Sequence, residues 1–140
     1  MEPLLVELAP STSTIEDIPH EGEEFGYVLE GKIFVVLGNT INPEKYAYKI
    51  KEELIEHGYN VACVGKELAS INDVKFPIEV LDLCINPNLG IKYLMESFKT
   101  YKVVVIQPGA ESKEIFDFLE ENNIQYIEGC LLLGINLFKK

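Results

Sequence analysis

The sequence predicts an α/β fold, a doubly wound parallel sheet of about five strands flanked by helices. Three observations carry that prediction. Apolar runs of strand length recur along the chain, rich in β-branched residues and without the alternation of a one-sided sheet, as expected of parallel strands covered on both faces. Segments with helically spaced apolar residues separate them. Short turns of Asn, Pro, Gly or Ser stand between strand and helix, where such residues end one element and start the next.

The first predicted strand is residues 33–37 (IFVVL), closed by Gly38. Asn42 is placed to cap the following helix and Pro43 to fill its first position, where a missing N–H costs nothing. The apolar stripe of that helix is Ala47, Ile50, Leu54 and Ile55, with Lys49, Lys51, Glu52, Glu53 and Glu56 toward water and Gly58 at the end. Residues 59–64 (YNVACV) and 78–85 (IEVLDLCI) are the next two strands, and Asn86-Pro87 repeats the cap-plus-proline start. Leu89, Ile91, Leu94, Met95 and Phe98 supply the face of the second helix. A fourth strand, residues 102–106, runs into the turn Gln107-Pro108-Gly109-Ala110. Ser112 caps a third helix with inner face Ile115, Phe118 and Leu119, which Asn122-Asn123 ends. Residues 124–127 form a last strand, and the apolar tail 130–138 packs on the sheet or completes it. The result is a Rossmann-like three-layer sandwich whose ligand site lies beyond the carboxyl ends of the strands, where the loops at 38–42, Asn86 and 107–111 converge.

At 140 residues the chain is long enough for one domain and too short for two ordinary ones. A hydrophobic fraction of 47% excludes disorder, and no apolar run approaches the ~18 residues that span a bilayer. The opening MEPLLVELAP lacks the basic region of a secretory signal, and Cys63, Cys84 and Cys130 follow neither a disulfide nor a zinc pattern, so the expected setting is a reducing cytoplasm. The net charge of −11 is unevenly placed: Glu2, Glu7, Glu16, Asp17, Glu21, Glu23, Glu24 and Glu30 precede the first lysine. This balance excludes nucleic acid as a general partner. With no arginine in the chain, a bound phosphate must be met by lysine, backbone N–H groups or hydroxyls.

A helix N-terminus pointing out of a sheet is a ready anion site. Candidate ligand-binding residues at the first strand-to-helix turn are therefore Gly38, Asn39, Thr40, Asn42 and Pro43, with Lys45 and Lys49 within reach of a phosphate unless they are simply solvated. Tyr46 and Tyr48 are as well suited to covering the sheet edge as to touching a ligand. Lys66 lies just past the second strand, where the ribose end of a nucleotide sits. At Gln107, Pro108, Gly109 and Ala110 backbone N–H groups are expected to approach the ligand. A valine at Gly38 is expected to abolish binding with little loss of fold. Cys63 and Cys84 read as core, and Cys130 as a small thiol needing no chemical role. No catalytic residue is assigned, since no nucleophile stands with a base at motif spacing.

From Lys32 to about Phe138 the chain resembles the small CoA-binding proteins related to the nucleotide-binding domain of the succinyl-CoA synthetase α-subunit. The matching blocks are IFVVLGNT, NPEKYAYKIKEELIEHGYNV, VVVIQPGAES and the late cysteine in EGCLL. Gly38-Asn39-Thr40 stands where the family usually has Gly-Ala-Ser, and Val64-Gly65-Lys66 where it has an Asn-Pro turn. The resemblance implies coenzyme A or a short acyl-CoA across the strand ends, its pyrophosphate at residues 38–40, in a binding or regulatory module. A nucleotide-dependent enzyme subunit, either a CoA-ligase component or an NAD(P) oxidoreductase, stays open as an alternative, as does an interaction protein with a vestigial nucleotide site. The dehydrogenase form lacks G-x-G-x-x-G and has an acid after the second strand only at Glu67.

Residues 1–38 also resemble the first conserved motif of cupin barrels in His20, Glu24 and Gly31. Ile18 stands in place of that family's first metal histidine and the second motif is absent, so no metal site is expected. In a cupin, residues 33–37 would pair in a hairpin with residues 25–29; in a doubly wound sheet they form a central strand with parallel neighbours. The second arrangement is expected, which divides the chain into a cupin-like β extension over residues 1–31, available to join a homodimer, and a Rossmann-like domain over residues 32–140.

Overall fold

The computed structural model describes residues 33–138, with side chains placed through residue 135. Five strands, β1 (Ile33–Gly38), β2 (Asn60–Gly65), β3 (Ile78–Cys84), β4 (Tyr101–Ile106) and β5 (Tyr126–Glu128), form one sheet in the order 2-1-3-4-5. Every pairing among these five strands is parallel. Among the described residues four α-helices cover it: α1 (Tyr46–Glu56), α2 (Pro87–Glu96), α3 (Lys113–Glu121) and α4 (Leu131–Phe138). With β2 and β3 both parallel to it, β1 has no antiparallel partner, so the cupin-type hairpin through residues 33–37 is excluded. The rest of the expected N-terminal extension, with His20 and Glu24, lies outside the described residues.

The core falls into two clusters because successive strand residues point to opposite faces. Val35, Leu37, Leu81, Leu83, Val104 and Ile106 meet Ile91 and Leu94 of α2 and Ile115 and Leu119 of α3. On the other face Phe34, Val36, Val80, Val103 and Val105 meet Ala47, Ile50 and Leu54 of α1 and Leu131 and Ile135 of α4. The apolar tail therefore packs on the sheet as a helix and adds no strand.

Several local expectations need correction. Helix α1 starts at Tyr46, three residues later than the Asn-Pro signal suggests. Asn39 Oδ1 accepts from the N–H groups of Ile41 and Asn42, and Asn42 Oδ1 from that of Glu44. These side chains hold residues 41–45 in turns that compete with the helix. Lys51 is half-buried and donates to the Thr40 carbonyl at 2.8 Å, whereas Ile55 is exposed. In α2 the inner face is Gly90, Ile91 and Leu94; Leu89 and Met95 lie outside it, and Phe98, beyond the last turn, is 81% exposed. Strand β5 begins at Tyr126 because the Ile124 N–H closes α3 on the Leu119 carbonyl, past Asn123 at φ 56°. Cys63 is core as expected, but Cys84 is only partly buried. The caps Asn86 and Ser112 stand as the sequence indicates.

Gly38 departs from expectation in a way that matters for experiment. It is buried, and a Cβ on it would lie 2.3 Å from the Cys84 carbonyl oxygen and 3.0 Å from the Ala47 Cβ. A side chain there attacks the fold itself. Gly38→Ala is expected to lower stability by at least about 2 kcal/mol in urea denaturation, as overpacking against backbone does. Gly58→Ala, with φ +88° and nothing within 4 Å, should cost only about 1 kcal/mol. Equal losses at the two positions would contradict the close approach of β1 and β3.

Candidate functional site

In a sheet of order 2-1-3-4-5 the chain leaves β1 toward one face and β3 toward the other, which opens a crevice between their carboxyl ends. A cavity of about 530 Å³ lies there. Gly38 at the end of β1 with Asn39, Gly65 at the end of β2 with Lys66, Cys84 at the end of β3 with Ile85 and Asn86, and the turn 107–110 after β4 line it, together with Lys45 at the N-cap of α1, Tyr46 and Ala47 of α1, and Leu89 and Tyr93 of α2.

Of the residues singled out by sequence, Gly38, Asn39, Lys45, Tyr46, Lys66, Gln107, Pro108, Gly109 and Ala110 come together on this cavity, and Thr40, Asn42, Pro43 and Lys49 do not line it. The delayed start of α1 puts its first turn at the wall. Lys45 occupies the N-cap without a side-chain hydrogen bond to the helix, so no side chain of its own caps the N–H groups of the first turn. Lys45, Tyr46 and Lys66 are exposed there. Lys49 sits instead over the Tyr46 ring, 5.4 Å from its centre.

Thr40 is fully buried and its hydroxyl donates to Glu67 Oε2 at 2.6 Å. Lys51 Nζ, held on the Thr40 carbonyl, stands 3.6 Å from the same carboxylate. The Thr40 hydroxyl, and then the Lys51 charge, hold the Glu67 carboxyl below the usual range despite partial desolvation. This clamp ties the β1 exit to the β2 exit, and Lys66, not Glu67, lines the cavity.

The turn after β4 is also used differently from expectation. Its backbone N–H groups are engaged within the protein: Gln107 with the Leu83 carbonyl, Gly109 with Glu111 Oε1 and Ala110 with the Gln107 carbonyl. Gln107 itself lines the cavity, and its side-chain Nε2 donates to Asp82 Oδ1 at 2.7 Å. Asp82 is fully buried in β3, and its Oδ2 has no hydrogen-bond partner among the described residues. Burial pushes its carboxyl up to about 7 against the opposing Gln107 hydrogen bond. The Cys84 thiol is pushed up to about 12, first by burial and then by Asp82 and Cys130, so it stays protonated at neutral pH.

Sequence reasoning missed Asp82, Gly65, Cys84, Leu89 and Tyr93. Asp82 was detectable: a carboxylate in IEVLDLC contradicts a strand buried on both faces unless something holds it. Gly65, at φ +124° with its Cβ position 2.8 Å from the Gly38 carbonyl oxygen, carried no sequence signal beyond being glycine. No group of three or more metal-ligating side chains occurs among the described residues.

Comparison with known proteins adds a family and a set of folds. A family described as the CoA binding domain matches residues 32–136. None of the curated proteins matches the chain. Similar solved structures include a hypothetical protein from Pyrococcus horikoshii OT3, at TM-score 0.71 and 20% identity over 97% of this chain and 100% of that one. A conserved hypothetical protein from Pyrococcus furiosus matches at TM-score 0.62 and 23% identity, covering 74% and 98%. A protein from Thermus thermophilus matches at 0.68 and 22%, covering 84% and 98%. At these identities the structural matches speak for the fold. The cupin resemblance of residues 1–38 has no counterpart among them.

The Asp82 carboxyl has a pH consequence. Its folded pKa lies above the unfolded value, so the unfolded chain releases this proton first as pH rises. Between about pH 4 and pH 7 the group should progressively reduce stability, by a few kcal/mol in all. In urea denaturation at pH 5 and pH 8, Asp82→Asn should gain stability relative to the unaltered protein at the higher pH. An unchanged difference between the two pH values would mean that Asp82 titrates normally.

Proposed function

Because the chain belongs to the CoA-binding domain family, we propose that the cavity at the β1/β3 crevice takes coenzyme A or a short acyl-CoA and that the protein acts as a binding or regulatory module. The observation that carries this reading is the charge placed at the rim. Lys45 at the open start of α1 and Lys66 past β2 line the cavity, while the acid next to Lys66 is clamped to Thr40 and Lys51. A pyrophosphate fits the helix start, where N–H groups and the dipole favour an anion. Lys66 stands where a nucleotide places its ribose and is suited to the 3′-phosphate that CoA has and NAD lacks. A dinucleotide with a free ribose calls for a carboxylate at that point, and Glu67 is otherwise engaged. The binding unit is the domain from residue 32 onward. Among the described residues no helix is long and apolar enough to cross a membrane.

The test is calorimetric titration with CoA, acetyl-CoA, dephospho-CoA, NAD and ATP. CoA is expected to bind in the micromolar range and NAD more weakly. Lys66→Ala should weaken CoA roughly tenfold, about 1.4 kcal/mol, and dephospho-CoA much less, with added salt narrowing the gap between the two ligands. NAD binding as tightly as CoA would overturn the reading, and equal losses for both CoA forms would return Lys66 to the solvated surface.

A further inference from the structure

We propose that Asp82 is a positioning residue that holds the Gln107 side-chain amide with its NH2 toward the strand and its carbonyl oxygen toward the cavity, where that oxygen accepts a hydrogen bond from an N–H or O–H group of the ligand. The inference rests on the reading of this cavity as the CoA site and extends it to the part of the ligand that is not nucleotide.

Above about pH 7, where Asp82 is ionised, its carboxylate only accepts, so the amide group facing it is the donor. The 2.7 Å contact from Gln107 Nε2 to Asp82 Oδ1 meets that requirement, and it fixes an amide orientation that would otherwise be two-fold ambiguous. With the NH2 on Asp82, the Gln107 oxygen has no hydrogen-bond donor among the described residues, and the residue lines the cavity. The other two amide side chains lining the cavity are already committed: Asn39 Oδ1 accepts from two backbone N–H groups and Asn86 Oδ1 from that of Asn88. Gln107 is thus the amide side chain left with a free oxygen at this wall.

The cost of the arrangement also points to the site. Asp82 is fully buried with Oδ2 unpartnered, and a half-satisfied carboxylate is dearer to the fold than an apolar residue of similar size. A residue that weakens the core and contacts a cavity-lining group is better explained by what that group must do than by packing. A nucleotide lying across the switch point puts its phosphates at the β1 turn and its other half over the β3 and β4 exits. In CoA that half is the pantetheine arm, whose amides and hydroxyl supply the donors that Gln107 lacks.

Two ligands and one ligand-free signal test the proposal. Gln107→Leu is expected to weaken CoA about tenfold, and Asp82→Asn, which lets the amide turn either way, about threefold or more. Both variants should bind 3′-phospho-ADP, which lacks the arm, within about twofold of the unaltered protein, a difference that general damage to the fold would not produce. Equal loss for both ligands, or no loss for CoA, would overturn the assignment. Independently of any ligand, the Gln107 side-chain NH2 in the unaltered protein at pH 8, where Asp82 is ionised, should show one strongly downfield, slowly exchanging proton by NMR, lost in Asp82→Asn. If CoA fails to bind but this proton is present, the ligand reading falls and the Asp82–Gln107 orientation stands. An NH2 group that exchanges freely would sink the orientation whatever binds.

Discussion

The architecture depends on three strand ends brought together without side chains between them. At the carboxyl ends of β1, β2 and β3, the Gly38 Cβ position lies 2.3 Å from the Cys84 carbonyl oxygen and that of Gly65 lies 2.8 Å from the Gly38 carbonyl oxygen. Only glycine permits that approach, and at Gly65 the φ of +124° demands it as well. With the ends this close, Ala47 of α1 packs directly on Gly38 and the first turn of the helix stands at the crevice. The site is thus a consequence of backbone packing before any ligand-binding side chain is considered.

Charge is then distributed around that geometry. The protein is acidic and without arginine, a poor starting point for holding a polyanion. The structure answers by withdrawal: Glu67 goes to Thr40 and Lys51, Glu111 goes to the Gly109 N–H, and Asp82 is buried against Gln107. Lys45 and Lys66 remain exposed at the cavity. Thr40, which by sequence looks like a phosphate-binding hydroxyl, contributes by disarming a carboxylate.

The periodicity of the chain was enough for the fold, because five apolar runs and the helical spacings between them report burial directly. It was weaker where side chains compete with the backbone. Asn39 and Asn42 satisfy turns that a cap-and-proline pattern reads as helix, so α1 begins at Tyr46. The strand-end loops could be placed on the site from sequence, and most of their residues do line the cavity. The roles of individual groups were not legible. Whether Thr40, Gly109 or Lys51 faces a ligand or the protein depends on partners 2 to 27 positions away, and no local pattern encodes those contacts.

The central claim, that CoA lies in the crevice between β1 and β3, is tested most directly by mapping backbone amide NMR shifts during addition of CoA. The largest shifts are expected at Gly38, Asn39, Tyr46, Gly65, Lys66, Asn86 and Gly109, which all line that cavity. Shifts concentrated instead around the groove of Leu94, Phe98, Tyr101 and Phe118, near the opposite ends of the strands, would contradict it.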